Sequence, residues 1–164
     1  MHTKKIGFFL VFFIVCTLFF AVKYYWYKQY RQPEGTYNHP VSIIVAVYKE
    51  KPWLFEKCLQ TVKTRKDDEL IVVLDGDNKE LECIAKKYVD KLFILPHTGK
   101  RNALSYGIIS AYNEIVVTID SDTFFEPDCI SNLIKPFSNE KIGAVSANQR
   151  IFNPETSLIR TFAN

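Results

Sequence analysis

Two aspartates separated by one residue, Asp120-Ser121-Asp122, follow directly on the apolar run of residues 115–119. A polar pair in that position sits where the backbone leaves a sheet, and both carboxylates can face one point. Like charges so close repel each other unless a cation lies between them. Magnesium and manganese accept carboxylate oxygens and complete their shells with phosphate oxygens of a substrate. The pair therefore predicts a divalent cation, Mg2+ or Mn2+, held together with an anionic diphosphate. On its own, Asp-x-Asp is also an ordinary solvated turn; its place after a buried strand gives it chemical meaning.

Three other apolar runs end in polar groups. Residues 41–47 lead to Tyr48-Lys49-Glu50, residues 70–74 to Asp75-Gly76-Asp77, and residues 92–95 to Gly99-Lys100-Arg101-Asn102. Lys100 and Arg101 stand at the start of a predicted helix, where the helix dipole disfavours cations, and a bound anion explains them better than chance placement. The plainer alternative is a pair of solvated charges at a helix start. Asp75 at a strand end suits the acceptance of a hydrogen bond from a nucleotide base, while Asp-Gly is also a common turn pair that needs no ligand.

The elements that must position these groups alternate. Residues 41–47 form a nearly continuous β-branched run, the pattern of a strand buried on both faces in a parallel sheet. Pro52 can open a helix on which Leu54, Cys58 and Val62 make one stripe. After the strand at 70–74 comes a helix with Leu81, Ile84, Ala85 and Tyr88 inward. The strand at 92–95 is stopped by Pro96, and Ala103, Leu104, Ile108 and Ala111 mark a helix beginning near Gly99. A strand at 115–119, a helix at 127–137 and a strand at 142–147 complete the series. Such alternation predicts an α/β fold with a mainly parallel sheet and flanking helices. Ligands then bind outside the carboxyl ends of the strands, and all four polar groups fall there.

Ahead of this domain, residues 6–22 are uncharged and dominated by Phe, Leu, Ile and Val, near the lower length limit for crossing a bilayer. Tyr24, Tyr25, Trp26, Tyr27 and Tyr30 follow, with Lys23, Lys28 and Arg31, a mixture suited to the headgroup interface. Bulky residues after Ala21 make a poor cleavage site, which favours a retained anchor over a removed signal peptide. The expected organisation is an N-terminal transmembrane anchor at 1–22, a juxtamembrane linker at 23–39 and one domain at 40–164. With 21 basic and 18 acidic residues the net charge is only +3, no footprint for nucleic acid. Outside the anchor, Cys58, Cys83 and Cys129 are spaced too widely for a zinc ribbon or redox pair and read as small core residues.

Taken in order, Val41-Ser42-Ile43-Ile44-Val45 with Tyr48 and Glu50, Asp75-Gly76, Gly99-Lys100-Arg101-Asn102-Ala103-Leu104, Asp120-Ser121-Asp122 and Gly143-Ala144-Val145 resemble glycosyltransferase family 2. Asn148-Gln149-Arg150-Ile151-Phe152-Asn153-Pro154 is similar to the segment after the donor site in hyaluronan synthases and their relatives that make chitin or cellulose. The resemblance spans residues 40–162. It implies a GT-A fold and a uridine-diphosphate sugar donor, with Tyr48, Glu50, Asp75, Lys100, Arg101 and Asp120 on the donor side. Asp75 would lie near uracil, Asp120 near ribose and metal, and Asp122 on the metal at the diphosphate. It further implies an inverting transfer to a growing polysaccharide or glycan acceptor, beside membrane lipid, with the domain facing the cytosol where nucleotide sugars are made.

The sequence departs from the family pattern in two places. The proline usual in the first loop is replaced around Ala46, and Lys49 stands where a small polar residue is common. The family's acidic acceptor base and its Gln-x-x-Arg-Trp segment do not occur in these 164 residues, so the chain is expected to be the donor-binding part only, truncated at its C-terminus. The alternative is a catalytically incomplete, membrane-tethered nucleotide-sugar-binding remnant or interaction module. A phosphatase loop of the Asp-x-Asp-x-Thr kind fails on register, because Thr123 comes one residue early.

Overall fold

The computed structural model describes residues 2–30, 35–62 and 65–150, which form two compact units divided between Glu34 and Gly35. The first unit is one helix, α1 (His2–Gln29). Its segment Gly7–Gln29, 23 residues long, contains an 18-residue stretch with a mean hydropathy of 2.2, and at 1.5 Å per residue the segment reaches about 35 Å, enough to cross a hydrocarbon layer of about 30 Å. Within this unit the apolar side chains from Phe8 to Phe20 have no core to cover them. The helix does not stop at Val22; the aromatic cluster at 24–27 continues it to Gln29. Lys23 and Lys28 fold back over the Phe19 and Tyr24 rings, with ammonium-to-centroid distances of 4.8 and 5.8 Å.

The second unit is built on a four-stranded sheet: β1 (Ser42–Val47), β2 (Glu69–Asp75), β3 (Lys91–Leu95) and β4 (Val116–Asp120), in the order β3-β2-β1-β4. All three pairings are parallel. The period-two alternation of a strand divides the core in two. Ile43, Val45, Val47, Leu70, Val72 and Leu74 face one layer, with α2 (Pro52–Val62), α3 (Lys79–Ala85) and α5 (Cys129–Ile134). Ile44, Ala46, Ile71 and Val73 face the other, beneath α4 (Lys100–Ile109). Each large aliphatic side chain so buried contributes about 1.5–3 kcal/mol of transfer free energy, and that sum holds the strands level at their C-terminal ends.

Local sequence sets the helices. Pro52 opens α2 at the first helical position. Asn78 caps α3, its side chain accepting the Glu80 and Leu81 N–H groups. Helix α4 meets the sheet through Ala103 and Gly107, one turn apart; a Cβ on Gly107 would lie 2.5 Å from Ile44 Cγ2, so only glycine permits this approach. Ile108, expected to help mark the apolar stripe, is instead largely exposed, because the small residues bring the backbone itself against β1 and β2. The expected helix at 127–137 is shorter and splits into α5 and a 3-10 turn, Lys135–Ser138, with Pro136 at the junction.

The strand expected at 142–147 does not form. Those residues form no regular element and pair with no strand, and only Ile142 and Val145 are part-buried. Gly143, Ala144, Ser146 and Ala147 present little apolar surface and weak β-propensity, and β4 offers them no hydrogen-bonded register.

From β1 the chain runs outward through β2 to β3, then returns to place β4 on the other side of β1. The order therefore reverses between β1 and β4, and the crevice that opens at such a reversal is where α/β sheets bind ligands.

Candidate functional site

That crevice exists, with a volume of about 350 Å³. Its walls come from the ends of β1 (Ala46, Val47) and the loop after it (Tyr48, Glu50), from Asp75, from His97 and Lys100, and from Asp120-Ser121-Asp122. Register explains the convergence: Ala46 pairs with Val73 on one side and Asp120 on the other. Lys49 turns the chain at once with a left-handed φ of 50°, a conformation unusual for a residue with a side chain. Six of the seven residues expected at the site therefore meet here. Arg101 does not; it is exposed on the first turn of α4 and lines no part of the crevice.

Asp75 is the buried member, 2% exposed. Its Oδ1 accepts the Thr98 N–H at 2.7 Å, the Gly99 N–H reaches Oδ2 at 3.0 Å, and His97 Nδ1 lies 2.9 Å from Oδ2. Burial pushes the carboxyl upward, but these donors and the nearby His97 outweigh it and hold the group below the usual carboxylate range. Gly99 adopts φ 96°, open to glycine, and so turns its N–H toward Asp75 while starting α4. Asp75 is thus the anion that the N-terminal approach to α4 receives.

The other acidic groups are exposed or half-exposed. Lys100 forms an ion pair with Asp120, which accounts for a cation on the first turn of a helix. Glu50 accepts the Lys51 N–H at 2.8 Å and the Ser121 hydroxyl at 3.3 Å. Asp122 lines the crevice with no hydrogen-bond or ion-pair partner among the described residues. Behind them lies Cys58, fully buried, its thiol donating to the Asp120 carbonyl at 3.7 Å. Burial, together with the negative field of Asp122, Glu50 and Asp120, pushes that thiol up to about 12. Cys58 stays protonated and is a packing residue, as expected, whereas Cys83 is exposed on α3 and Cys129 only part-buried.

Three carboxylates against one ammonium suit a hard divalent cation. Among the described residues no three acidic, imidazole or thiol groups converge into a cage. That arrangement fits Mg2+ or Mn2+, which take one or two carboxylates and fill the remaining positions with water and substrate phosphate. Asp122 and Asp120 are the residues that could hold it.

Sequence reasoning missed His97. Its ring stacks on Tyr48 at a centroid distance of 4.0 Å and an interplanar angle of 8°. The available signal was a histidine lying between a strand-stopping proline and a helix-starting glycine.

Residues 42–162 match the family model described as glycosyl transferase family 2. The chain is 32% identical over 139 residues to a poly-beta-1,6-N-acetyl-D-glucosamine synthase of Staphylococcus epidermidis, covering 80% of this chain and 32% of that protein. It is 33% identical over 126 residues to the synthase of the same name from Staphylococcus aureus, covering 72% of this chain and 30% of that protein. It therefore spans about a third of the length of these relatives. Among solved structures, a mannosyltransferase from Pyrobaculum calidifontis in complex with GDP-Man and Mn2+ superimposes with a TM-score of 0.68 at 24% identity, covering 85% of this chain and 44% of that one, which shows the GT-A fold. By the extent of the family match, this chain belongs to glycosyl transferase family 2.

Proposed function

We propose that this chain binds a uridine-diphosphate sugar with Mg2+ or Mn2+ in the crevice between β1 and β4, and supplies the donor side of sugar transfer to a growing polysaccharide or glycan. The observation that carries this reading is the meeting of Glu50, Lys100, Asp120 and Asp122 at the point where strand order reverses. The polysaccharide-synthase names of the staphylococcal relatives support the acceptor class. The nucleotide sugar and Mn2+ of the mannosyltransferase complex support the donor class and the cation.

A bound cation would neutralise charge on the departing diphosphate. The chain's own residues prepare that position. Asp122 presents a carboxylate with no partner among the described residues, and the Ser121 hydroxyl donates to Glu50 in the crevice wall. Lys100 neutralises Asp120 in the donor-free chain and can turn its ammonium to phosphate when a cation takes over Asp120. Displacement at the anomeric carbon by an acceptor hydroxyl then inverts the sugar, with the acceptor proton passing to a general base.

Calorimetric titration of uridine diphosphate into the full chain in detergent, with and without Mn2+, tests the reading. Binding should require Mn2+, and Asp122→Ala should abolish that requirement together with most of the affinity. Equal binding without metal would overturn it. The helix α1 is long and apolar enough to cross a membrane, and because nucleotide sugars are made in the cytosol, the second unit faces that side. In sealed vesicles, cytosolic protease should digest it; protection would reverse the topology.

A further inference from the structure

The second unit holds another cavity, of about 280 Å³, walled by Thr36, Tyr37, Asn38, Arg65, Ser131 and Lys135. It shares no wall residue with the crevice. Three stretches of chain meet there: the approach to β1, the loop between α2 and β2, and α5 with the 3-10 turn after it. Several contacts fix the approach. A Cβ on Gly35 would collide with the Ser138 side chain, so glycine lets the chain lie against that turn. Tyr37 packs on His39 and Phe137, with ring centroids 5.1 and 6.2 Å apart, and the His39 carbonyl accepts from Arg65 Nη2 at 2.9 Å.

Among the described residues no acidic side chain lines this cavity. Asp68 offsets Arg65 from outside the wall, 3.6 Å from its Nε, while Arg65 Nη1 is buried and meets no hydrogen-bond acceptor among the described residues. Lys135 gives one N–H to Asn132 at 2.8 Å, and its ammonium carries two more. Two cations against one carboxylate leave a single positive charge over, ringed by the hydroxyls of Thr36, Tyr37 and Ser131 and the amide of Asn38. A lysine at the C-terminal end of α5 is favoured by the helix dipole alone. That does not account for a guanidinium N–H without an acceptor, which in a folded protein calls for an explanation.

We propose that this cavity binds a phosphodiester. One negative charge matches the one surplus cation, and the two free oxygens are acceptors for the Lys135 ammonium and the guanidinium edge. The volume is close to the lower end of small-ligand sites, about 300–1,000 Å³, larger than a bare anion needs, and leaves room for the carbons on either side of the phosphorus. A lipid headgroup and a soluble diester share this chemistry. Thr36 comes seven positions after Gln29, the last residue of α1, which makes a lipid one available source. The assignment does not rest on the donor-site reading.

Hydrogen exchange of the full chain, read on peptides covering residues 36–39, 65–68 and 131–135, tests it. In detergent the probes are glycerophosphoglycerol and inorganic phosphate; in nanodiscs they are phosphatidylglycerol mixed into phosphatidylcholine and phosphatidylcholine alone. A bound diester at ten times its Kd should slow exchange in these peptides about ten-fold. Protection by the free headgroup as well as the lipid assigns a soluble diester; protection by phosphatidylglycerol alone assigns the bilayer as the source. Lys135→Gln, a change at an exposed position, should weaken binding a few-fold, and Lys135→Arg should restore it. Asp122→Ala, which acts on the crevice, should leave the protection intact, so failure of the donor site and failure of this one are told apart. Exchange unchanged in both media overturns the proposal. So does protection that Lys135→Gln keeps in full, or that inorganic phosphate reproduces at equal concentration.

Discussion

Both ends of the sheet carry polar side chains, and they are organised in opposite ways. At the N-terminal ends of the strands, Glu69 accepts the Ser42 hydroxyl at 2.6 Å and the Tyr112 N–H at 2.9 Å and pairs with Lys91 at 2.6 Å. Ser42, 0% exposed, also accepts from the Asn113 backbone and side chain. Asp68 and Asp90 accept the N–H groups that open β1 and β2, from Val41 at 3.0 Å and Leu70 at 2.8 Å. At the C-terminal ends, Asp120 and Asp122 are exposed, one held by a single lysine and the other by nothing among the described residues. The first set pins loops to strands. The second is a concentration of charge that the fold holds in place without satisfying it. Asp75 lies at the second end but is wired like the first, and so separates position from role.

If that contrast is real, removing Asp122 should damage ligand binding and spare the fold. Asp122→Ala is expected to lower Mn2+-dependent nucleotide affinity on the order of 100-fold, about 3 kcal/mol, with unfolding stability unchanged within about 0.5 kcal/mol. Calorimetry and urea denaturation on the same preparation measure both. Comparable losses in both quantities would erase the distinction.

Glu69→Ala should do the reverse. It leaves the buried Ser42 O–H without its acceptor and removes a partner from the exposed Tyr112 N–H and from the Lys91 ammonium, which keeps the Ser110 carbonyl, and is expected to destabilise the domain by about 2 kcal/mol, while the remaining folded protein binds nucleotide normally. Asp75→Ala should resemble it in stability, costing about 2 kcal/mol through the orphaned Thr98 and Gly99 N–H groups, despite its place beside the crevice. Tryptophan fluorescence against urea measures both, and an Asp75→Ala protein of full stability would move Asp75 into the ligand-binding set.

The same two carboxylates give a pH signature. Burial raises Glu69, but Lys91, Ser42 and the Tyr112 N–H outweigh it and hold the group low, and Asp75 is held low by its own donors. A depressed folded value means stability that is fully present above the unfolded values, about 4.3 for Glu and 3.9 for Asp, and lost as pH falls below them. The urea midpoint should therefore hold from pH 7 to about 5 and drop below about 4, with Glu69→Gln showing a shallower fall. A midpoint that rises on acidification would contradict the assignment.

The two ends were not equally legible in the sequence. Asp120-Ser121-Asp122 and Lys100 stand out because strand-end position and charge type are both written locally, and apolar runs such as 41–47 declare buried parallel strands. The N-terminal network passed unnoticed: Ser42, Glu69, Lys91 and Asn113 are scattered along the chain, Ser42 and Asn113 lying 71 positions apart, and only the register of β1 with β2 and β4 and of β2 with β3 brings them together. His97 escaped for the same reason, since its stack on Tyr48 depends on the neighbouring loops of β1 and β3. The failed strand at 142–147 shows the converse limit: β4 has a free edge, but a short run of small residues such as Gly143, Ala144, Ser146 and Ala147 offers too little apolar surface and β-propensity to pair with it.

The smallest effect concerns Lys100, which belongs to both halves of the contrast. Its ion pair with Asp120 is solvent-exposed on both sides, 59% and 55%, and such pairs contribute at most about 1 kcal/mol, so Lys100→Met should leave unfolding nearly unchanged. Binding should divide in sign. Without nucleotide, the freed Asp120 carboxylate should take up Mn2+ a few-fold more tightly, because no ammonium competes for it. With nucleotide, the missing cation should weaken the ternary complex a few-fold, since one phosphate loses its partner. Electron paramagnetic resonance of free Mn2+ during titration separates the two. Movement in the same direction in both titrations would mean that Lys100 serves only to fix the loop, and that the Asp120 pair is structural after all.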